Sequence, residues 1–285
     1  MILLACDLDN TLVHSQEYPG DICVEYKNGK PHAFMSPGVC RRLEELDPEI
    51  CFVPVTGRSA EQYRRIRHFR TRVPPYALTS CGGVLLKAGK RDTLWQKAFH
   101  PLFAQTSEVM RLCLDQLLSQ MLPRGDVSWA KWVDRVFIVS QSPDVRGAVS
   151  LLSAQAYSSA LDFFMEADRL YVFPRGFNKG SAVDMLRRRL RPESLICAGD
   201  GLLDLPMLCA ADIALVPDEC MARQVEQSSV FRGRLYCSER EGTGGGTPAG
   251  FAEYVAGFAQ NRLHAGLPGL KDNHEPHEQG VSCFD

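Results

Sequence analysis

The chain has 285 residues, 45% hydrophobic and 23% charged, with 32 Lys and Arg against 34 Asp and Glu. That is enough apolar material for a sizeable core, and it excludes wholesale disorder. The formal net charge of −2 lacks the basic excess of a dedicated nucleic-acid binder, and no run approaches the ~20 apolar residues of a membrane span, so neither partner is expected.

The N-terminal run Met1 to Cys6 is apolar but passes straight into Asp7 and Asp9 without a basic leader. A buried first strand fits it better than a secretory signal. The 11 cysteines are scattered, several inside apolar runs, and no C-x-x-C pair occurs. Reduced, mostly buried thiols in a cytoplasmic protein are expected. Ile2 to Leu8, Cys51 to Val55 and Tyr76 to Thr79 read as buried parallel strands. Between them lie two helix starts. Ser36-Pro37 leads into Val39, Leu43 and Leu46, and the Ser59 to Gln62 capping-box pattern leads into Tyr63, Ile66 and Phe69. This alternation predicts an α/β fold with a doubly wound, Rossmann-like parallel-sheet core.

The middle of the chain changes pattern. Val84 to Lys87 and Thr93 to Gln96 are expected to pair as a hairpin, followed by a helix from about Leu102 to Leu122. Strands over Val127 to Val133 and Arg135 to Ser140, a helix over Pro143 to Ala160, and strands over Asp162 to Glu166 and Arg169 to Phe173 follow. The order suggests an inserted α+β cap domain over 83–173, with the core over 1–82 and 174–262 and a polar, fraying tail over 263–285. After Pro174 the first pattern returns. A helix starts at Asn178, strands cover Leu195 to Ala198 and Ile213 to Val216 with a short helix over Pro206 to Ala210 between them, and a last helix starts at Thr247-Pro248.

Four polar clusters fall at predicted strand ends or helix starts. Asp7-Leu8-Asp9-Asn10-Thr11 follows the first strand, where ligands of doubly wound sheets bind. Thr56-Gly57-Arg58 follows the second, and its hydroxyl and amides beside a helix N-terminus suit an anion. Lys179 sits in a first helical turn, against the helix dipole, and so calls for a negative partner. Gly199-Asp200-Gly201-Leu202-Leu203-Asp204 puts two more acids at a strand terminus. Together these supply carboxylates for a hard divalent cation, and a hydroxyl and an ammonium for phosphate oxygens.

In these motifs the sequence resembles the haloacid dehalogenase (HAD) superfamily of phosphatases, in the large-cap subgroup of the Cof and sucrose-phosphatase type. The resemblance implies that Asp7 is the nucleophile and Asp9 the general acid and base. It implies Mg²⁺ held by the Asp7 carboxylate, the Asp9 backbone carbonyl and the Asp200 carboxylate, with Asp204 acting behind them. Thr56, Gly57 and Lys179 would bind the phosphate. The expected activity is hydrolysis of a phosphate monoester of a small metabolite, such as a sugar phosphate, through an aspartyl-phosphate. The alternatives are a phosphotransferase with the same chemistry, or a catalytically weak module that binds a phospho-ligand or partner.

Two positions depart from the family pattern: Asn10 stands where Gly is usual, and Leu203 where Asn is usual. Lys131, Trp132, Arg135, Arg146 and Arg169 are cap candidates for facing the substrate. The glycine-rich stretch Gly242 to Gly250 reads as a loop, not a dinucleotide site, and His274 and His277 as part of the tail.

Overall fold

The computed structural model describes residues 1–242 and 247–264. The expected tail from residue 265 on, with His274 and His277, and part of the glycine-rich stretch lie outside the described residues, while residues 263 and 264 belong to the last helix. In chain order the elements are β1 (Ile2–Cys6), β2 (Ile22–Lys27), β3 (Lys30–Met35), α1 (Pro37–Glu44), β4 (Ile50–Pro54), α2 (Ala60–Arg64), α3 (Arg67–Thr71), β5 (Tyr76–Thr79), β6 (Val84–Lys87), β7 (Lys90–Arg91) and α4 (Thr93–Gln116). Then come α5 (Leu122–Arg124), β8 (Trp129–Val133), β9 (Phe137–Gln141), α6 (Val145–Ser153), β10 (Leu161–Glu166), β11 (Arg169–Pro174), α7 (Lys179–Leu190), β12 (Ser194–Ala198), α8 (Leu205–Cys209), β13 (Ile213–Val216), α9 (Glu219–Glu226), β14 (Arg234–Cys237) and α10 (Pro248–His264).

The core is a parallel sheet in the order β14-β13-β12-β1-β4. Its strands are apolar on both sides and split by alternation. Leu4, Cys6, Phe52, Ile196 and Leu215 face α1 and α10, while Leu3, Ala5, Val53, Leu195 and Cys197 face α7, α8 and α9. From β1 the chain first builds toward β4, then later returns to the other side of β1 with β12, paired Cys6 to Ala198. The strand order therefore reverses between β1 and β12, where a doubly wound sheet opens a crevice.

The cap sheet is antiparallel, in the order β10-β11-β9-β8. Ile138, Leu170 and Val172 point to α4 and α6, and Val139, Tyr171 and Phe173 point the other way, toward Cys81 and Phe177 of the core. Lys131 lies between Trp129 and Val133 on β8 and therefore shares the core-facing side, as does Arg169 two positions from Tyr171. Trp132 packs on the helix side, and Arg146 is exposed on α6, so neither faces the core.

Thr93 to Gln96 is the first turn of α4, not a strand. Asp92 caps it by accepting the Trp95 amide at 2.8 Å, and the buried Trp95 indole donates to Gly82 O at 2.9 Å. The helix continues through Pro101, so one helix joins both units. Burial of Trp95 decides the conformation here, against the local strand propensity. Val84 to Lys87 pairs with β5 and with the short β7, and Val84 and Leu86 pack in the core. The β2–β3 hairpin, α9 and β14 are further elements beyond those expected from the sequence. Among the described residues the cysteines are free and mostly buried, and no helix is long and apolar enough to cross a membrane.

Candidate active site

Asp7 is the first residue past β1. Its amide donates to Ala198 O at 2.9 Å, and the residue is only 5% exposed. The chain then turns sharply, with Asn10 at φ 62 and its amide bonded to Val13 O at 2.7 Å. Left-handed backbone is what glycine supplies most easily and Asn tolerates best among the others, which explains the substitution at position 10. The turn aims Thr11 across the crevice, where its hydroxyl donates to Asp200 Oδ1 at 2.7 Å.

Lys179 opens α7 behind a reciprocal Asn178–Ser181 capping box. An ammonium in a first turn opposes the helix dipole, and burial opposes its charge as well. Asp204 and Asp7 overcome both. Nζ lies 2.6 Å from Asp204 Oδ1 and 2.5 Å from Asp7 Oδ1, and these carboxylates hold the ammonium charged, well above its ordinary value despite its burial. Gly180 makes this placement possible, because a Cβ there would sit 2.5 Å from Pro206 O in α8.

Asp204 uses both carboxylate oxygens. Oδ1 takes Lys179, and Oδ2 accepts the amides of Asp200 at 3.2 Å and Gly201 at 3.1 Å. Although Asp204 stands at the N-cap of α8, its side chain makes no capping hydrogen bond there. Asp204 instead locks the loop that presents Asp200. One oxygen from each of Asp7, Asp200 and Asp204 lies within 4.8 Å of the others. Burial pushes Asp7 well up from the usual carboxylate range, with further push from Asp204, Asp200 and Asp9 against the pull of Lys179. Burial and Asp204 raise Asp200 to about 7. Three crowded carboxylates against one ammonium leave excess negative charge, and an all-oxygen donor set of this kind fits a hard divalent cation such as Mg²⁺.

Thr56 follows β4, which pairs with β1, so it lies one strand over from Asp7. It is fully buried, and its Oγ1 accepts the Arg58 amide at 3.1 Å. A Cβ on Gly57 would only touch Cys81 Sγ at 3.7 Å, so sterics do not demand glycine there. The Asp9 side chain stands outside the acidic cluster. It is half exposed and gripped by Arg58, with Nη2 to Oδ1 at 2.6 Å and Nε to Oδ2 at 2.9 Å.

The cap reaches this site twice. Glu166 lies so close to Gly201 that a side chain there would collide with it. Burial and Asp204 raise its pKa. Asp134, in the turn between β8 and β9, accepts from Ser80 Oγ at 2.6 Å, the Ala60 amide at 3.1 Å and Arg91 at 3.0 Å, which ties the cap to the start of α2, the end of β5 and β7. Leu203 packs with the apolar cap-facing cluster and lines one small pocket with Lys179, Cys81, Phe164 and Phe173. The residue that replaces Asn is thus a docking contact for the cap.

The family model for sucrose-6F-phosphate phosphohydrolase matches residues 1–245. The chain belongs to this family of HAD-superfamily phosphatases. No curated protein matches. Among solved structures, the sucrose-phosphatase of Synechocystis, determined with sucrose and phosphate, is 14% identical with a TM-score of 0.57, over 90% of this chain and 97% of that one. A HAD subclass IIB sugar phosphatase is 12% identical with a TM-score of 0.59, over 90% and 99%. A haloacid dehalogenase-like hydrolase from B. subtilis is 14% identical with a TM-score of 0.54, over 91% and 99%. At these identities the structures establish the fold: a HAD Rossmann-like core with a cap.

Of the residues expected at the site, Asp7, Asp200, Asp204 and Lys179 come together in the crevice and the Asp9 side chain does not, while Arg58 and Thr11, inside the same sequence clusters, carried no expected role. Glu25, Asp134 and Glu166 carried no signal, because each reaches the site only through the tertiary fold.

Proposed function

We propose that the chain hydrolyses a phosphate monoester of a small metabolite, such as a sugar phosphate, through an aspartyl-phosphate on Asp7. One observation carries the reading: Asp7 Oδ1 lies 2.5 Å from Lys179 Nζ, in a buried crevice that also holds Asp200 and Asp204. A carboxylate that must attack a phosphate dianion needs local positive charge, and Lys179 supplies part of it. Asp7 and Asp200, with the Asp9 carbonyl, would hold Mg²⁺, which supplies the remaining charge neutralisation toward phosphoryl oxygens.

Asp7 attacks phosphorus, the P–O bond to the alcohol breaks, and Asp9 gives that oxygen a proton. Asp9 then takes a proton from water as it attacks the aspartyl-phosphate, which releases phosphate, frees the Asp7 carboxylate and returns Asp9 to its protonated form. Thr56 and Gly57 support the transferring oxygens from the neighbouring strand end, and Asp204 keeps Lys179 and the Asp200 loop in place. We place the start of the cap within α4, since β6 and β7 pair with β5 of the core. Lys131 and Arg169 on the core-facing side of the cap sheet suit an anionic substrate.

The test is turnover of 4-nitrophenyl phosphate with Mg²⁺. Activity should vanish with EDTA, return with Mg²⁺, and be absent in Asp7→Asn. Folded wild-type protein that stays inert across a panel of phosphorylated metabolites would refute the reading.

A further inference from the structure

We propose that Glu25 is a positioning residue for leaving-group protonation: from the β2–β3 hairpin it anchors Arg58, and Arg58 fixes the Asp9 carboxylate. The inference rests on Asp9 being the acid that protonates the departing alcohol.

Glu25 is fully buried, although its neighbour Val24 already occupies the apolar side of β2. Simple alternation would turn position 25 to the opposite face. The pairing with β3 shifts register on both sides of it, between Cys23 and Glu25 and between Glu25 and Tyr26. Such a bulge re-aims a side chain. Here it brings the carboxylate between two arginines: Oε2 pairs with Arg58 Nη1, and Oε1 lies 3.1 Å from Arg65 Nε.

Arg58 turns its other two nitrogens to Asp9. Nε reaches both carboxylate oxygens, at 2.9 and 3.1 Å, and Nη2 reaches Oδ1 at 2.6 Å. Side-chain exposure rises along the row, from 1% at Glu25 to 12% at Arg58 and 51% at Asp9. Order is therefore imposed from the interior outward. An exposed aspartate alone would sample several rotamers, and a flexible arginine alone would not restrain it, since an Arg side chain carries about 2 kcal/mol of rotamer entropy. Gripped at one edge by a buried carboxylate, the planar guanidinium offers a fixed fork. A buried ion pair is weak support for stability, because desolvation offsets much of its attraction. A role in holding Asp9 accounts for the alternating row Asp9, Arg58, Glu25, Arg65 better than stability does.

An acid must stand within about 2.6–3.2 Å of the oxygen it protonates, so orientation matters most when the leaving group is poor. The experiment compares kcat/KM for phenyl phosphate, whose leaving group resembles a tyrosine side chain with a pKa of about 10, and for 4-nitrophenyl phosphate, whose leaving group departs readily without a proton. This parameter reports steps up to alcohol release. Glu25→Gln is expected to lower the phenyl phosphate value roughly tenfold more than the nitrophenyl value, a part of the ~10²–10⁴-fold that a general acid contributes. Equal losses on both esters, or no loss, would overturn the proposal and leave Glu25 a structural ion-pair partner.

If Glu25→Gln does not yield folded protein, Glu25→Asp carries the test. It keeps the charge but withdraws it by one methylene, and the ratio must shift the same way; an unchanged ratio overturns the proposal. Asp9→Asn separates the premises. If it leaves the ratio unchanged, the assignment of Asp9 fails and this inference falls with it. If it shifts the ratio and the Glu25 variants do not, only the role of Glu25 fails.

Discussion

Gly180 packs directly against Pro206: a methyl group at position 180 would lie 2.5 Å from the Pro206 carbonyl oxygen. The contact holds the start of α7 against α8 and sets Lys179 between Asp7 and Asp204. Gly180→Ala must part the helices, at a cost of about 1–3 kcal/mol for overpacking. Displacing Lys179 by even about 1 Å is expected to lower turnover by up to about 10²-fold. Urea denaturation and steady-state kinetics check both, and wild-type values in each would contradict the packing account.

Thr11 is a second control on the acidic cluster. Its buried hydroxyl donates to Asp200 Oδ1 and opposes the upward push that burial and Asp204 exert on that carboxyl. Thr11→Val keeps the shape and removes the donor. A hydrogen bond to a charged group is worth about 1.5–3 kcal/mol, so the Mg²⁺ concentration for half-maximal rate should rise roughly tenfold or more. Thr11→Ser should stay near wild type. A Mg²⁺ titration of the three proteins decides this, and identical curves would remove Thr11 from the site.

Asp134 ties the cap to the core. Burial alone would raise its pKa, but the Ser80 hydroxyl, the Ala60 amide and Arg91 outweigh it and hold the carboxyl below its ordinary value. A depressed carboxyl stabilises the fold above its unfolded pKa of about 3.9, and loses that contribution as pH falls through the folded value. Asp134→Asn should therefore destabilise the protein by about 1 kcal/mol at pH 7. The gap to wild type should stay level down to about pH 5 and close below about pH 4. Denaturation midpoints across that range check the sign, and a gap that widens on acidification would contradict it.

Much of the core was legible because its signals are local. The strands that lead into Asp7, Thr56 and Asp200 are continuous apolar runs, and the Asn178 cap announces α7. Thr93 to Gln96 misled because its helical turn is fixed by Trp95 reaching Gly82, a contact beyond any local pattern. The β2–β3 hairpin stayed hidden for a related reason: its bulge breaks the alternation that marks a strand. In the site, the residue types at Asp7, Lys179, Asp200 and Asp204 were readable as a motif set. That Asp9 turns to Arg58, and Leu203 to the cap, depends on partners far away in sequence.

The proposed hydrolysis depends on phosphorylation of Asp7. Acid-quenching the protein during turnover with Mg²⁺ and a phosphate monoester, then locating phosphate on the digested chain by mass spectrometry, tests it most directly. The modification should appear on the peptide containing Asp7, be sensitive to hydroxylamine as an acyl phosphate is, and be absent from Asp7→Asn. Phosphate on another residue, or an unmodified Asp7 peptide under conditions where a phosphoenzyme accumulates, would contradict the account.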